Sequence, residues 1–248
     1  MTEAKNSNDK SKAFILAQSA MGLNLLPTKT EGFTLAEVLI TLGIIGVVAA
    51  MTIPTLIANT RSQQYRSQFK KTLSTLNQAV RMAQAQYDFD FAGTDTMYAN
   101  GVGCISANPN TTKSICALLN GTLSSNNNSE DRIMVAGAYG YGTILQNEGR
   151  GSQHLAYQLA DGAIFIFAYD AMNCASDRVR ICKGYRDVNG VTKPNKEVAC
   201  ASEETVYDPT TPCTVDKASM GDIFPVILHD GSVEPATNAA AYVLNTAK

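Results

Sequence analysis

The chain has 248 residues, of which 20 are basic and 22 acidic, so its formal net charge is −2. That balance argues against a nucleic-acid-binding domain with a large basic surface. Hydrophobic residues make up 45% of the sequence, enough for a folded core and too many for general disorder. The six cysteines include no Cys-x-x-Cys pair, which argues against a zinc ribbon or a thioredoxin-like redox site.

An uncharged apolar run is the most prominent feature of the N-terminal part. It extends over 23 residues, from Val38 to Thr60. A helix needs about 20 apolar residues to cross a bilayer, so this run is long enough. The alternative is the core helix of a soluble domain, but such helices are usually shorter and amphipathic. The run therefore predicts a membrane-spanning helix.

A short motif stands directly before this run. It reads Gly32-Phe33-Thr34-Leu35-Ala36-Glu37. The motif resembles the processing site of type IV pilins and type II secretion pseudopilins, and the match continues to about Ile57. In that family, prepilin peptidase cuts after the glycine and methylates the new N-terminal residue. The resemblance implies a cleaved leader at residues 1–32, a scissile bond between Gly32 and Phe33, N-methylation of Phe33 and an assembly role for Glu37.

Glu37 is an acid at the edge of a membrane helix. Placing a carboxylate there costs a few kcal/mol on insertion scales, so it is expected to have a partner. The amine of Phe33 in a neighbouring subunit, free or methylated, would supply the opposite charge. The alternative is a carboxylate stabilised only by the dipole of the first helical turn.

Three residues interrupt the apolar helix: Gly43, Gly46 and Pro54. The resemblance implies that the segment between Gly46 and Pro54 loses helicity when subunits pack into a filament. The alternative is a simple kink at Pro54, with small residues at packing contacts.

The sequence after Pro54 is amphipathic. Apolar residues recur at intervals of three and four, which is the spacing of one helix face. They are Tyr65, Phe69, Leu73, Leu76, Val80, Ala83 and Tyr87. The pattern predicts one helix from Phe33 to about Asp88. Its transmembrane and assembly half would be residues 33–60, and its amphipathic half residues 61–88.

The charges beside the apolar run and the positions of the cysteines predict opposite orientations of the chain in the membrane. Four basic residues follow the run closely and only Lys29 precedes it closely, which by the positive-inside rule would place the C-terminal part in the cytoplasm. All six cysteines lie in that C-terminal part, which favours an oxidising compartment. The resemblance resolves this conflict, since it implies a single-pass protein of the bacterial inner membrane with its head in the periplasm.

The head, residues 89–248, carries two hairpin signals. Asp161-Gly162 lies between apolar runs at residues 153–159 and 163–168, and Asp230-Gly231 follows the run at residues 223–228. An Asp-Gly pair between such runs is a strong hairpin signal. The sequence thus predicts an α+β, pilin-like fold, with the long N-terminal helix packed on an antiparallel β-sheet.

The cysteines are expected to form three disulfides in an exported head. They are Cys104, Cys116, Cys174, Cys182, Cys200 and Cys213. Six cysteines allow 15 pairings. Pairing of nearest neighbours would close small loops, and the alternative is buried free thiols in a reducing cell.

Asp187, Asn189 and Asp222 are weak calcium candidates, because some relatives in the resembled family bind calcium in a late loop. The Asp-x-Asn-Gly start also resembles an EF-hand loop, but Val198 stands at the position of its last ligand. A plain Asn-Gly turn is the alternative and needs no metal. No cofactor is therefore assigned.

The sequence contains no recognisable catalytic constellation. His154 and His229 are its two histidines, and neither has metalloprotease spacing. The resemblance implies a structural subunit of a type IV pilus or a type II secretion pseudopilus. Its partners would be prepilin peptidase, other pilin or pseudopilin subunits, the inner-membrane assembly machinery and membrane lipid. No nucleic-acid partner is assigned. The alternatives are a membrane-anchored periplasmic binding module that does not polymerise, and an exported enzyme on the same anchor.

Overall fold

The computed structural model describes residues 32–98, 101–123, 133–135, 154–177, 182–190, 192, 194–201, 208 and 210–246. The predicted leader, residues 1–32, lies outside the described residues except for Gly32. The chain divides into two compact units, residues 1–50 and residues 51–248.

Helix α1 extends from Leu35 to Tyr87 and is uninterrupted through Gly43, Gly46 and Pro54. The prediction of one long helix is confirmed to within two residues at each end. The helix stops where Asp88 adopts a positive φ of 60°, a left-handed conformation that is common just after a helix end. The loss of helicity between Gly46 and Pro54 concerns subunits packed in a filament and stays a prediction.

The first part of α1 is apolar and exposed. Among the described residues, α1 is the one helix long and apolar enough to cross a membrane, and none of its most apolar stretch is buried within the chain. The large apolar side chains from Leu35 to Ile57 are exposed. Apolar surface of this extent marks contact with lipid or with other protein chains. The helix therefore fits a membrane-anchored, single-pass protein.

The amphipathic part of α1 belongs to the core of the second unit. Six of the seven residues of the predicted apolar face are buried, namely Tyr65, Phe69, Leu73, Leu76, Val80 and Ala83, whereas Tyr87 is half-buried. Ser62, Thr72 and Ala79 are buried as well. The ring of Phe69 stacks on that of Phe224 with centroids 4.3 Å apart. Burying one helix face in this way supplies most of the stability of such a helix.

The sheet is an antiparallel meander in the described part of the chain. Its six strands are β1 (Ile133–Val135), β2 (His154–Gln158), β3 (Ile164–Ala168), β4 (Lys183–Asp187), β5 (Ile223–His229) and β6 (Ser232–Pro235). Their order in the sheet is their order in the chain. Both predicted hairpins are confirmed, since β2 pairs with β3 across Asp161-Gly162 and β5 pairs with β6 across Asp230-Gly231. Gln153, at the start of the first predicted strand, lies outside the described residues.

The described residues of the second unit also contain three short helices: α2 (Gly101–Ile105), α3 (Ile115–Thr122) and α4 (Asn238–Asn245). Ser114 and Thr237 cap the N-termini of α3 and α4 through their hydroxyl groups. Buried side chains of α1, α3, α4 and the sheet form the main core. Other buried side chains of the sheet form a second, smaller cluster of Ala156, Ile164, Ile166, Tyr185 and Ile223. The predicted α+β, pilin-like architecture is confirmed.

Candidate processing and assembly site

Gly32 and Phe33 lie just before α1, outside any regular element. The side chain of Phe33 is 88% exposed. A Cβ atom added to Gly32 would have no neighbour within 4 Å. The fold of the described chain therefore does not require glycine at this position. A requirement for glycine here would come from a molecule that binds the segment.

Glu37 and Thr34 form a reciprocal capping box at the start of α1. The Thr34 backbone N–H and the Thr34 hydroxyl each donate to Glu37 Oε2 at 2.8 Å. The Glu37 N–H donates to Thr34 Oγ1 at 3.2 Å. Both residues thus satisfy N–H groups that the first turn of a helix leaves without partners.

The carboxylate of Glu37 has a local partner within its own chain, but that partner is neutral. Among the described residues Glu37 makes no ion pair. The arrangement agrees with the alternative in which the first turn of α1 in the same chain stabilises the Glu37 carboxylate. It also leaves the carboxylate exposed to a cation from another chain. Thr34 was not predicted as the partner, although its spacing of three residues from Glu37 is the capping-box signal.

Gly43 and Gly46 lie on the exposed apolar part of α1. A Cβ atom at either glycine would meet nothing within 4 Å. Glycine in a helix interior costs roughly 1 kcal/mol relative to alanine, and nothing within the described chain offsets that cost. Small residues on an exposed membrane helix are typical of close helix–helix packing between chains.

The calcium candidates lie where the end of β4 meets the start of β5. The two carboxylate oxygens of Asp222 accept the N–H groups of Asn195 at 2.9 Å and Lys196 at 2.7 Å. Asp187 Oδ1 accepts the N–H of Asn189 at 3.1 Å, as in an Asx turn. These contacts favour the turn interpretation. Among the described residues, no three His, Cys, Asp or Glu side chains are grouped to hold a metal ion, and calcium binding stays a prediction.

Tyr65 lies beside this turn. Its hydroxyl accepts a hydrogen bond of 3.4 Å from Asn189 Nδ2. Burial raises the pKa of Tyr65 above its ordinary value, and the charge of Asp222 raises it further, whereas the charge of Arg61 opposes both effects. The phenol therefore stays neutral at physiological pH.

The six cysteines form three disulfides between neighbours in the sequence. The pairs are Cys104–Cys116, Cys174–Cys182 and Cys200–Cys213. The first pair links α2 to α3, and the second joins the loop after β3 to the start of β4. The third closes a loop between β4 and β5. The first two disulfides are part of the hydrophobic core, whereas Cys200 and Cys213 pack against it.

The two histidines lie on different strands. His154 is in β2 and His229 is in β5, with β3 and β4 between them. His229 contacts Ser232 Oγ through Nε2 at 3.1 Å and Asp230 Oδ2 through Nδ1 at 3.3 Å. These are residue types of a catalytic triad, but Asp230 is 53% exposed and the Ser232 hydroxyl also donates to the carbonyl of His229. The contacts are those of a hairpin turn.

Comparison with known protein families matches residues 28–53 to the prokaryotic N-terminal methylation motif. This motif is the signature of type IV pilins and pseudopilins, and it covers Gly32, Phe33, Glu37 and most of the exposed apolar helix. Comparison with curated proteins and with solved structures gave no match. The resemblance drawn from the residues is confirmed, and the chain carries the signature of a pilin-like structural subunit.

Proposed function

We propose that this chain is a prepilin-like structural subunit of a type IV pilus or a type II secretion pseudopilus. The observation that carries the proposal is the junction of the methylation motif with an apolar helix that its own chain leaves uncovered. A helix with such a surface needs lipid or neighbouring subunits around it. The subunit acts as a building block rather than as an enzyme.

We propose two stages for the subunit, which are processing in the membrane and assembly into a filament. It is first anchored in the bacterial inner membrane, with its head in the periplasm, and prepilin peptidase removes residues 1–32 and methylates Phe33. The inner-membrane assembly machinery then moves it into a filament, where α1 packs against other pilin or pseudopilin subunits. Glu37 exchanges its bond to Thr34 for the amine of a neighbouring Phe33.

Mass spectrometry of the mature N-terminus tests the first stage. We expect a chain beginning at Phe33 and carrying one methyl group in cells with prepilin peptidase, and an intact leader in cells without it. Gly32→Ala should leave the fold unchanged, because a Cβ atom fits there, yet should block cleavage. An intact leader in both strains would contradict the proposal.

The substitution Glu37→Val tests the second stage. We expect normal cleavage but loss of incorporation into filaments, measured by shearing and immunoblotting. Thr41→Val is the matched control, since Thr41 bonds only to carbonyls of its own helix. If processed subunits never polymerise in any strain, the chain is a membrane-anchored binding module instead.

A further inference from the structure

A groove of about 500 Å³ lies in the second unit between α1 and two loops. It is lined by residues 54–65 of α1, by Pro194 and Lys196, and by residues 217–220. We call it the basic groove. Its volume is within the range of roughly 300–1,000 Å³ that is usual for small-molecule sites.

The charged side chains that line the basic groove are all cationic. They are Arg61, Lys196 and Lys217, and the described residues that line the groove include no Asp or Glu. Among the described residues none of the three cations makes an ion pair. Two nearby carboxylates are directed at backbone N–H groups rather than at these cations, since Asp222 accepts two of them and Asp216 accepts the N–H of Ala218 at 3.0 Å. The groove therefore offers an anion three cationic side chains that are not held in ion pairs, with the negative charge of Asp222 acting nearby on Tyr65.

The loops that carry two of these charges are fixed. The Lys196 loop is held by the Asp222 carboxylate and by the bonds from the Asp222 and Ile223 N–H groups to the Lys196 carbonyl, both 3.0 Å. Gly221 allows the close approach, because an added Cβ atom would collide with the Lys196 carbonyl. The Lys217 loop is turned by Asp216. The backbone that carries Lys196 and Lys217 is thus held in place, while the two side chains themselves are exposed.

The groove begins where the apolar run ends. Pro54, Ile57 and Ala58 line one part of it and belong to the uncharged run, whereas Arg61 is the first charge after that run. When α1 is anchored in a membrane, the end of the apolar run lies at the boundary between the hydrocarbon core and the phosphate headgroups. An acidic protein partner would have to reach into the apolar run, whereas a phospholipid presents both chemistries in this order.

We propose that the basic groove binds the phosphate headgroup of an anionic phospholipid in the membrane that anchors α1. The three cations contact the phosphate, and Pro54, Ile57, Ala58 and Met220 cover the glycerol and the first methylene groups. The inference rests on the membrane anchoring that the proposed function requires. It adds a lipid-binding site to that function.

Native mass spectrometry of the full chain in neutral detergent tests the proposal, with phosphatidylglycerol and phosphatidylcholine of matched acyl chains as probes. We expect a preference for phosphatidylglycerol that falls about fivefold for each cation removed. The triple variant Arg61→Gln/Lys196→Gln/Lys217→Gln should therefore lose affinity for phosphatidylglycerol about a hundredfold. Intact disulfides and an unchanged far-UV CD spectrum show that it is folded.

The matched control is Lys70→Gln/Arg81→Gln/Lys113→Gln. It removes the same charge from exposed residues outside the groove and should keep the preference. An equal loss in the control, or no loss in the groove variant, would overturn the proposal. A photoreactive phosphatidylglycerol on the unaltered chain gives a second measurement. Crosslinks should map to residues 54–65, 194–196 or 217–220, and crosslinks confined to other segments would contradict the site.

Filament assays distinguish a lipid in the basic groove from a neighbouring subunit in the basic groove. If the groove variant keeps its lipid preference but drops out of filaments, the groove receives an acidic surface of a neighbouring subunit, and the lipid proposal is wrong. The lipid measurement needs neither cleavage nor polymerisation. An unprocessed leader with an intact lipid preference would therefore refute the proposed function alone, and normal assembly without any preference would refute this inference alone.

Discussion

At the scale of single residues, Glu37 is held by Thr34 within its own chain. A capping interaction of this kind contributes about 0.5–2 kcal/mol. An ion pair with an amine in a low-dielectric surrounding is stronger than a bond to a neutral hydroxyl. Thr34 therefore satisfies the carboxylate in the free subunit without competing strongly against the amine of a neighbour.

We predict that Thr34→Val weakens the first turn of α1. The hydroxyl that bonds both Glu37 Oε2 and the Glu37 N–H is lost. Hydrogen exchange at residues 35–38 of the full chain in micelles should accelerate about 2- to 30-fold, which corresponds to the loss of one helix cap. Thr34→Ser keeps the hydroxyl and should exchange at the original rate. Equal rates in all three chains would show that the capping box does not stabilise this turn.

Asp222 is fully buried, and its two carboxylate oxygens accept backbone N–H groups. In Asp222→Asn an amide nitrogen faces one of these donors, so one hydrogen bond becomes a clash of two N–H groups. We expect the free energy of unfolding to fall by about 1–3 kcal/mol in urea titrations. Asp95→Asn is the control, since Asp95 is exposed and bonds only the adjacent Thr96 hydroxyl. An equally large fall in the free energy of unfolding of Asp95→Asn would show that the burial of Asp222 is not the cause.

At the scale of elements, one side chain joins α1 to the edge strand β6. Asn77 Nδ2 donates to the Val233 carbonyl, and Asn77 Oδ1 accepts the Val233 N–H, both at 2.9 Å. The carboxamide thus pairs with β6 as a further strand would. It satisfies backbone groups that an edge strand leaves open.

We predict that Asn77→Ala lowers the free energy of unfolding by about 1–3 kcal/mol, because the backbone N–H and carbonyl of the buried Val233 both lose their partner. Thermal or urea unfolding of the oxidised chain measures this. Gln78→Ala, one position along the same helix, removes only a 3.3 Å bond to the exposed Ser74 and should change stability little. The interpretation fails if the two variants are equally destabilised.

Elements with regularly spaced apolar residues could be predicted from the sequence, whereas elements that mix apolar and charged residues could not. The helix and both hairpins follow from apolar spacing and Asp-Gly turns. Strand β4 carries Lys183, Arg186 and Asp187 in five residues, which does not indicate a strand inside a sheet. Arg186 is nevertheless only 1% exposed, because its guanidinium bonds Thr72 Oγ1 at 3.0 Å and lies 3.7 Å from Asp161. Partners so distant in sequence give no local signal.

The two candidate sites differ in the same way, because the residues of one are adjacent in the sequence and those of the other are not. Gly32, Phe33 and Glu37 are contiguous with the apolar run and were found from the sequence. The basic groove combines Arg61, Lys196 and Lys217 from three separate segments. Only the fold brings these residues to one place.

At the scale of the whole molecule, the three disulfides differ in their access to solvent. Cys104, Cys116, Cys174 and Cys182 are buried, whereas Cys200 and Cys213 are half-buried. A reducing thiolate must reach a sulfur atom in line with the bond it breaks, so access limits the rate. The Cys200–Cys213 bond is the outermost of the three.

We predict that mild dithiothreitol reduces Cys200–Cys213 first. Timed alkylation followed by peptide mass spectrometry should label these two cysteines while the other four remain paired. The helix and sheet signals in far-UV CD should persist at that stage, because the loop between β4 and β5 lies outside the sheet. Simultaneous labelling of all six cysteines would show instead that reduction requires global unfolding.

The meander order of the strands has a consequence for biogenesis. Each strand pairs with the next one in the chain, and each cysteine pairs with the next cysteine, at separations of 12, 8 and 13 residues. In the proposed periplasmic topology, a head exported in chain order would expose each strand and each cysteine directly before its partner. An oxidase that joined successive thiols as they emerged would make all three native bonds without reshuffling. The core helix arrives first, and each strand is added to a template already in place.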